Sequence, residues 1–153
     1  MKLDRVIAQL RKLNEPVPNP ARLPGVSEVE AAQQAVGFAF HADFIQYLLE
    51  ASNVTFGIFE PVTLTEPDSH TYLPTVAADA WRIGIPRDDY LPICQDNADF
   101  YCMNARGAVV FMSHDGDFAP SERWPDLATW IEEVWIGESL DGEDDESDED
   151  GED

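Results

Sequence analysis

Apolar side chains recur at helical spacing in five stretches of the chain. In the first stretch, Leu3, Val6 and Leu10 fall on one face and charged residues on the other, which is the pattern of an amphipathic helix. The same spacing predicts helices over residues 2–13, 27–36, 42–51, 74–82 and 125–136. The stretch over 42–51 has the widest apolar arc, so we expect this helix at the centre of the fold.

Residues that start and stop helices fit these boundaries. Ser27 followed by Glu30 is typical of a capping box, and Gly37 is typical of a left-handed helix end. Pro125 suits a first helical position, and Asp126 suits the positive end of that helix dipole. Prolines crowd the segment between the first two helices and therefore predict an extended arm over residues 14–26.

Strand patterns occupy the middle of the chain. Apolar and polar residues alternate over 54–59, and a β-rich run follows at 62–65. Three further runs, separated by polar turns, predict an antiparallel meander at 91–94, 100–103 and 108–112. The residues that follow it, 113–121, are predicted to form a polar loop.

The chain is strongly acidic, its charge is concentrated at the C-terminal end, and this charge limits the classes of partner that it can bind. The 153 residues include 31 acidic and 9 basic ones, a formal net charge of −22, and the last sixteen residues carry eleven of the acids. Nucleic acid and anionic membrane surfaces would be repelled, because they are bound through Lys and Arg. A basic protein would be attracted, although acidity that serves only solubility is the alternative. The pattern predicts an N-terminal helix and arm (1–26), an α+β domain (27–137) and a disordered acidic tail (138–153).

Targeting signals and cysteine use favour a cytoplasmic protein. The sequence has neither an apolar run of 18 residues nor a signal-peptide core at its start. With a turn centred on residues 96–97, Cys94 would face Asp99 and Cys102 would face Leu91, on opposite faces of the sheet. We therefore expect two buried free thiols and no disulfide.

No motif in the sequence supplies catalytic or metal-binding chemistry. His41, His70 and His114 lack the spacing of zinc ligands and are interpreted as surface residues. His114-Asp115 imitates a catalytic dyad, but no serine has the context of a nucleophile. The acidic tail does not complete a calcium loop, and no phosphate-binding glycine loop is present. We expect no enzyme activity, no metal site and no cofactor.

Acidic loops are the candidate partner-binding site. The loops at 86–90, 95–99 and 113–119 are expected at one end of the sheet, where they would form an anionic rim. Its candidate residues are Asp88, Asp89, Asp96, Asp99, Asp115 and Asp117. The alternative is that these are solvated loop acids. Trp124 is either a cap over the last helix or an exposed interface anchor.

The order of these segments resembles the SUKH superfamily, which includes bacterial immunity proteins and a fungal cell-wall-synthesis regulator. The resemblance is carried by Leu91–Cys102, with its Leu-Pro start and Asp-aromatic end, by the strand and His-Asp turn at Gly107–Asp115, and by Leu127–Ile131. It implies an α+β fold with a mostly antiparallel sheet of about five to six strands flanked by helices. It also implies partner binding without catalysis.

Three functions remain open at this stage. The first is a cytoplasmic immunity protein, a monomer or weak dimer, that neutralises a basic and possibly nuclease-type toxin. The second is a regulatory scaffold that binds cytosolic partners, and the third is a carboxylate-based hydrolase. The first is preferred because an acidic inhibitor can occupy a groove built for nucleic acid.

Overall fold

The strands of the protein form one antiparallel sheet in which spatial order equals chain order. The computed structural model describes residues 2–141. Within that range β1 (Leu91–Asp96), β2 (Asp99–Met103), β3 (Val109–Met112) and β4 (Pro120–Trp124) are hydrogen-bonded in the order β1-β2-β3-β4. The α+β class and the meander are confirmed, but the described sheet has four strands rather than five or six.

The predicted helices are all present. They are α1 (Lys2–Leu13), α2 (Val26–Val36), α3 (Ala42–Ala51), α4 (Leu73–Ile83) and α5 (Leu127–Trp130). A π-helical stretch, Ile131–Ile136, continues α5, and residues 137–141 continue it further as α-helix. We call residues 127–141 the closing helix. The described part of the predicted tail, residues 138–141, is therefore helical, and residues 142–153 lie outside the described residues.

Two helix starts differ from the prediction. Helix α2 begins after Gly25, whose N–H donates to the Glu28 carboxylate at 3.1 Å, so the capping box lies two residues before Ser27 and Glu30. Arg22 holds the same carboxylate through two N···O contacts of 2.7 Å and lowers the pKa of Glu28 to about 2. Asp126 is the N-cap of α5, because its carboxylate accepts from the backbone N–H of Thr129 at 2.7 Å.

The predicted strands over 54–59 and 62–65 do not form. Their backbone makes isolated contacts instead: Trp135 Nε1 donates to the Phe56 carbonyl at 2.9 Å, and Val62 N donates to the Ile93 carbonyl at 2.9 Å. Gly57 has a φ of +67°, which turns the chain away from an extended path. The segment therefore runs along the closing helix and touches β1 only through an isolated bridge between Pro61 and Cys94.

The fourth strand is the element that the sequence did not reveal. Residues 120–123 of β4 are exposed, and its register against β3 shifts between Phe111 and Met112. An edge strand that is exposed on both faces has no apolar alternation, so its sequence reads as a loop.

Both faces of the sheet contribute to one hydrophobic core. On one face the Tyr101 ring lies 5.3 Å from the ring of Trp130 in the closing helix and 5.8 Å from Phe59. On the other face Phe100 lies 6.4 Å from Phe118. The buried face of α1 joins the same cluster, and Lys2 Nζ donates to Thr129 Oγ1 at 2.7 Å. The N-terminal helix is thus integral to the folded core.

Candidate partner-binding surface

The six acids predicted to form one rim lie at two opposite ends of the sheet. Asp96 and Asp99 flank the β1–β2 turn, and the β3–β4 loop with Asp115 and Asp117 reaches the same end. The segment 86–90 precedes β1, and Leu91 at the start of β1 pairs with Met103 at the end of β2. Asp88 and Asp89 therefore belong to the other end, and the prediction of a single rim is wrong. The segment that enters β1 and the turn that leaves it lie at opposite ends of that strand, so their acids cannot share one rim.

The end that carries Asp88 and Asp89 also carries basic residues. Both acids line a shallow cavity of about 290 Å³ together with Arg106 and Arg123. Two arginines therefore border the same cavity as two exposed aspartates, and the formal charges of these four residues balance. This end of the sheet attracts a basic partner less than its acids alone suggest.

At the opposite end, His114 ties the two loops together. Its Nδ1 lies 2.7 Å from the Asp99 carboxylate, which also accepts from the backbone N–H of His114 at 3.0 Å. Its Nε2 lies 3.2 Å from the Asp115 carboxylate. The hydrogen bond with Asp99, followed by the charge of Asp115, raises the pKa of His114, and the same bond lowers the pKa of Asp99. His114 is thus an exposed residue with a structural role, and it partly neutralises the two acids beside it.

Trp124 lies at the end of β4 rather than in a polar loop. It pairs with Val109 in the ladder, and its half-buried ring lies 5.7 Å from the ring of Tyr101. The ring packs among the aromatic residues of the sheet. This position corresponds neither to a simple helix cap nor to a fully exposed interface anchor. Its role in binding stays a prediction.

A second group of acids surrounds Tyr101. Asp96 and Glu122 share a sheet face with Tyr101, because Tyr101 pairs with Cys94 on one side and with Phe111 on the other, and Phe111 pairs with Glu122. Glu138 approaches the same area from the closing helix. Burial raises the pKa of Glu138, and the negative charges of Glu122 and Asp96 raise it further. Sequence reasoning included Asp96 but missed Glu122 and Glu138, because it assigned Glu122 to no strand and Glu138 to the tail.

The two cysteines are buried and unpaired. The register places Cys94 opposite Tyr101 and Cys102 opposite Pro92, with an irregularity between Pro92 and Cys94. The predicted pairings with Asp99 and Leu91 are therefore wrong. The inference drawn from them holds, since Cys102 follows Tyr101 and points to the other face of the sheet. Burial raises the pKa of Cys94 to about 12 and also raises the pKa of Cys102.

Both thiols are expected to react slowly in the native protein, because the thiolate is the reactive form and burial disfavours it. Titration with a chromogenic disulfide reagent, without added reductant, should count two thiols after denaturation and almost none before. A count of zero in the denatured monomer would show a disulfide and contradict the register.

Comparison with known proteins gives the family. A family model described as SUKH_5, SMI1-KNR4 cell-wall, matches residues 3–136, which is most of the chain. The chain belongs to the SUKH family. A crystal structure of a protein from Pseudomonas syringae pv. tomato is similar to this SUKH chain, with 40% identity and a TM-score of 0.82 over 88% of this chain and 98% of that one. The comparison with curated proteins gives no match.

The described residues of this SUKH chain contain grooves but no cluster of metal ligands. Within residues 2–141 no three His, Cys, Asp or Glu side chains converge closely enough to hold a metal ion. A groove of about 410 Å³ lies between the proline-rich arm and residues 52–61. It contains Glu60 and Glu66 beside the exposed Ile58. No helix in the described part of the chain is long and apolar enough to cross a membrane.

Proposed function

We propose that this SUKH protein is a non-catalytic immunity protein that binds and neutralises a basic toxin. The observation that carries the proposal is the excess of negative charge on the folded domain itself. Without the nine acids of residues 142–153, acidic residues still outnumber the nine Lys and Arg by more than two to one.

Among the residues that the structure describes, four of the nine cations contact acids of the same domain. Lys2 and Arg5 both contact Glu132, at 3.8 and 3.2 Å. Other pairs join Arg22 to Glu28 at 2.7 Å and Arg82 to Asp79 at 3.5 Å. Within residues 2–141 most carboxylates therefore form no ion pair with a Lys or Arg, and a partner that supplies cations would relieve their mutual repulsion.

A toxin that acts on nucleic acid fits this surface. Such an enzyme binds phosphate through Lys and Arg, so its substrate groove is a positive surface that an acidic domain can cover. Long-range attraction would speed the encounter, and the carboxylates desolvated in the complex would govern how slowly it dissociates. Inhibition by coverage requires no catalytic group on the SUKH protein.

The test is protection and binding with the product of the adjacent gene. Cells that express this neighbour are expected to survive only when the SUKH protein is co-expressed, and the purified pair should associate more slowly as salt rises. Two matched double variants, Asp88→Asn/Asp89→Asn and Asp115→Asn/Asp117→Asn, remove equal charge from opposite ends of the sheet. The first pair lies beside two permanently charged arginines and the second beside His114, which is charged only when protonated, so the second double variant is expected to weaken binding more.

Binding that is equally strong at every ionic strength would contradict the electrostatic account. A protein with no toxic neighbour, which protects no cell, would contradict the immunity role. The second candidate function, a regulatory scaffold, would then lead, and the cell-wall description of the matching family model favours it.

A further inference from the structure

The hydroxyl of Tyr101 has no hydrogen-bond partner within residues 2–141. The residue is 7% exposed, and its ring is fixed by Phe111 at 4.9 Å, Trp130 at 5.3 Å and Trp124 at 5.7 Å. Tyr47 is buried to a similar degree, and its hydroxyl donates to the Val62 carbonyl at 2.9 Å. Buried tyrosines usually make such a bond within the protein, whereas the described residues leave the hydroxyl of Tyr101 available to a group from outside.

This hydroxyl reaches the surface rather than a sealed void. Among the described residues, the polar side-chain atom that is closed to solvent and lacks a partner is Trp130 Nε1. The Tyr101 hydroxyl is not sealed in this way, although the rest of its side chain is. A group from outside can therefore reach the hydroxyl, whereas the ring cannot turn to find a partner inside the protein.

Carboxylates lie on the sheet face of the Tyr101 ring, with Asp96 on β1 and Glu122 on β4. Burial raises the pKa of Tyr101 most, and Glu138 and Asp96 are the next largest causes, ahead of Cys94 and Glu122. Glu138 in turn is influenced by Glu122, Asp96 and Asp141. Within residues 2–141 none of Asp96, Glu122 and Glu138 forms an ion pair with a Lys, Arg or His. The surface around Tyr101 therefore carries unneutralised negative charge and one hydroxyl without a hydrogen-bond partner among residues 2–141.

We propose that Tyr101, Asp96, Glu122 and Glu138 form a socket for one cationic side chain of the partner, with arginine the best fit. The proposal rests on the proposed function, and it names the contact through which the basic partner is recognised. The Tyr101 oxygen can accept a hydrogen bond from the cation, while the carboxylates on β1, β4 and the closing helix neutralise it.

The spacing of the acids selects a large organic cation over a metal ion. The carboxylates do not converge closely enough for a metal ion, within the described residues. A guanidinium group is planar and carries five N–H donors, so it can reach several separated acceptors at once. It also stacks on aromatic rings, and the half-buried rings of Phe111 and Trp124 flank Tyr101. An ammonium group has fewer donors and is a point charge.

The experiment is a titration of the full chain with a single-arginine peptide, acetyl-Gly-Arg-Gly-amide, followed by NMR of the tyrosine rings. The Tyr101 signals are expected to shift in a saturable way, and the same peptide with citrulline in place of arginine should not shift them. Tyr101→Phe and Glu138→Gln should each weaken the affinity about fivefold, as the loss of one hydrogen bond or one charge partner implies. Asp89→Asn removes the same charge elsewhere and should change the affinity by less than about twofold.

Tyr101→Phe removes only the hydroxyl, which has no internal partner, so an unchanged melting temperature should show that the fold is intact. Equal weakening by Asp89→Asn, or equal shifts with citrulline, would overturn the socket. A lysine peptide that binds more tightly than the arginine peptide would overturn the preference for arginine.

Failure of the socket and failure of the immunity role can be told apart. If the adjacent gene product is neutralised and Tyr101→Phe and Glu138→Gln bind it with unchanged affinity, the socket is wrong and the immunity role stands. If the peptide occupies the socket and no toxin is neutralised, the socket stands and the basic partner is of another kind.

Discussion

Replacing Trp135 with Ala is expected to lower the free energy of unfolding by about 4 kcal/mol, which lies within the range for truncating a buried tryptophan. The side chain is fully buried, with 0% exposure, and its indole N–H donates to the Phe56 carbonyl at 2.9 Å. Loss of the ring leaves a cavity between the closing helix and α3, where Trp135 lies 6.3 Å from Tyr47. Urea denaturation followed by circular dichroism measures the change.

Trp130 supplies a matched control for the hydrogen bond. It is equally buried in the same helix, but its indole Nε1 has no partner. Trp135→Phe deprives the Phe56 carbonyl of its donor, whereas Trp130→Phe removes a donor that was already unsatisfied. Trp135→Phe should therefore be the more costly change, by about 1 kcal/mol or more. Equal costs would show that the bond to Phe56 contributes nothing to stability.

Two truncations should behave in opposite ways. Deletion of residues 138–153 is expected to cost about 2 kcal/mol, because it removes a buried hydroxyl contact and a half-buried leucine. Ser139 is 2% exposed, and its Oγ accepts from Ile58 N at 3.2 Å. Its hydroxyl also fills the space that a side chain on residue 57 would need, so a glycine is required there. Leu140 packs against the same core.

Deletion of residues 142–153 removes nine acids and no aliphatic or aromatic side chain. Its stability should be unchanged or slightly higher, because the self-repulsion of the domain falls. Melting temperatures of the two truncated proteins at equal ionic strength make the comparison. If deletion of residues 142–153 lowered the melting temperature as much as deletion of residues 138–153, residues 142–153 would have to contribute to stability.

The sequence predicted the helices well because each one buries a periodic apolar face. The closing helix is an instructive case. Its broad apolar stripe, with Trp130 beside Ile131 and Val134 beside Trp135, is wider than a regular helix needs. The π-helical stretch Ile131–Ile136 widens the turn and buries both members of each pair. Periodicity showed the helix but not this local change of pitch.

The site was predicted less well, because it depends on which end of the sheet each loop occupies. The acids at 86–90 and at 95–99 have the same residue types, and only the strand connections separate them. Residues 54–59 alternate as a strand does, yet Trp135 and Ser139 bind their backbone in place of a neighbouring strand. Glu138 and Glu122 lacked any signal in sequence, since one lies beyond the last apolar turn and the other on an exposed edge.

The contact between α1 and the closing helix also determines when this protein can finish folding. Lys2 and Arg5 bond to Thr129 and Glu132, partners that lie 127 residues further along the chain. At a synthesis rate of about 5–20 residues per second, α1 is synthesised roughly 6–25 s before its partner helix. Until then α1 can pack only against elements made earlier, such as α3, where Gln46 bonds to Asp4, and the native core stays incomplete.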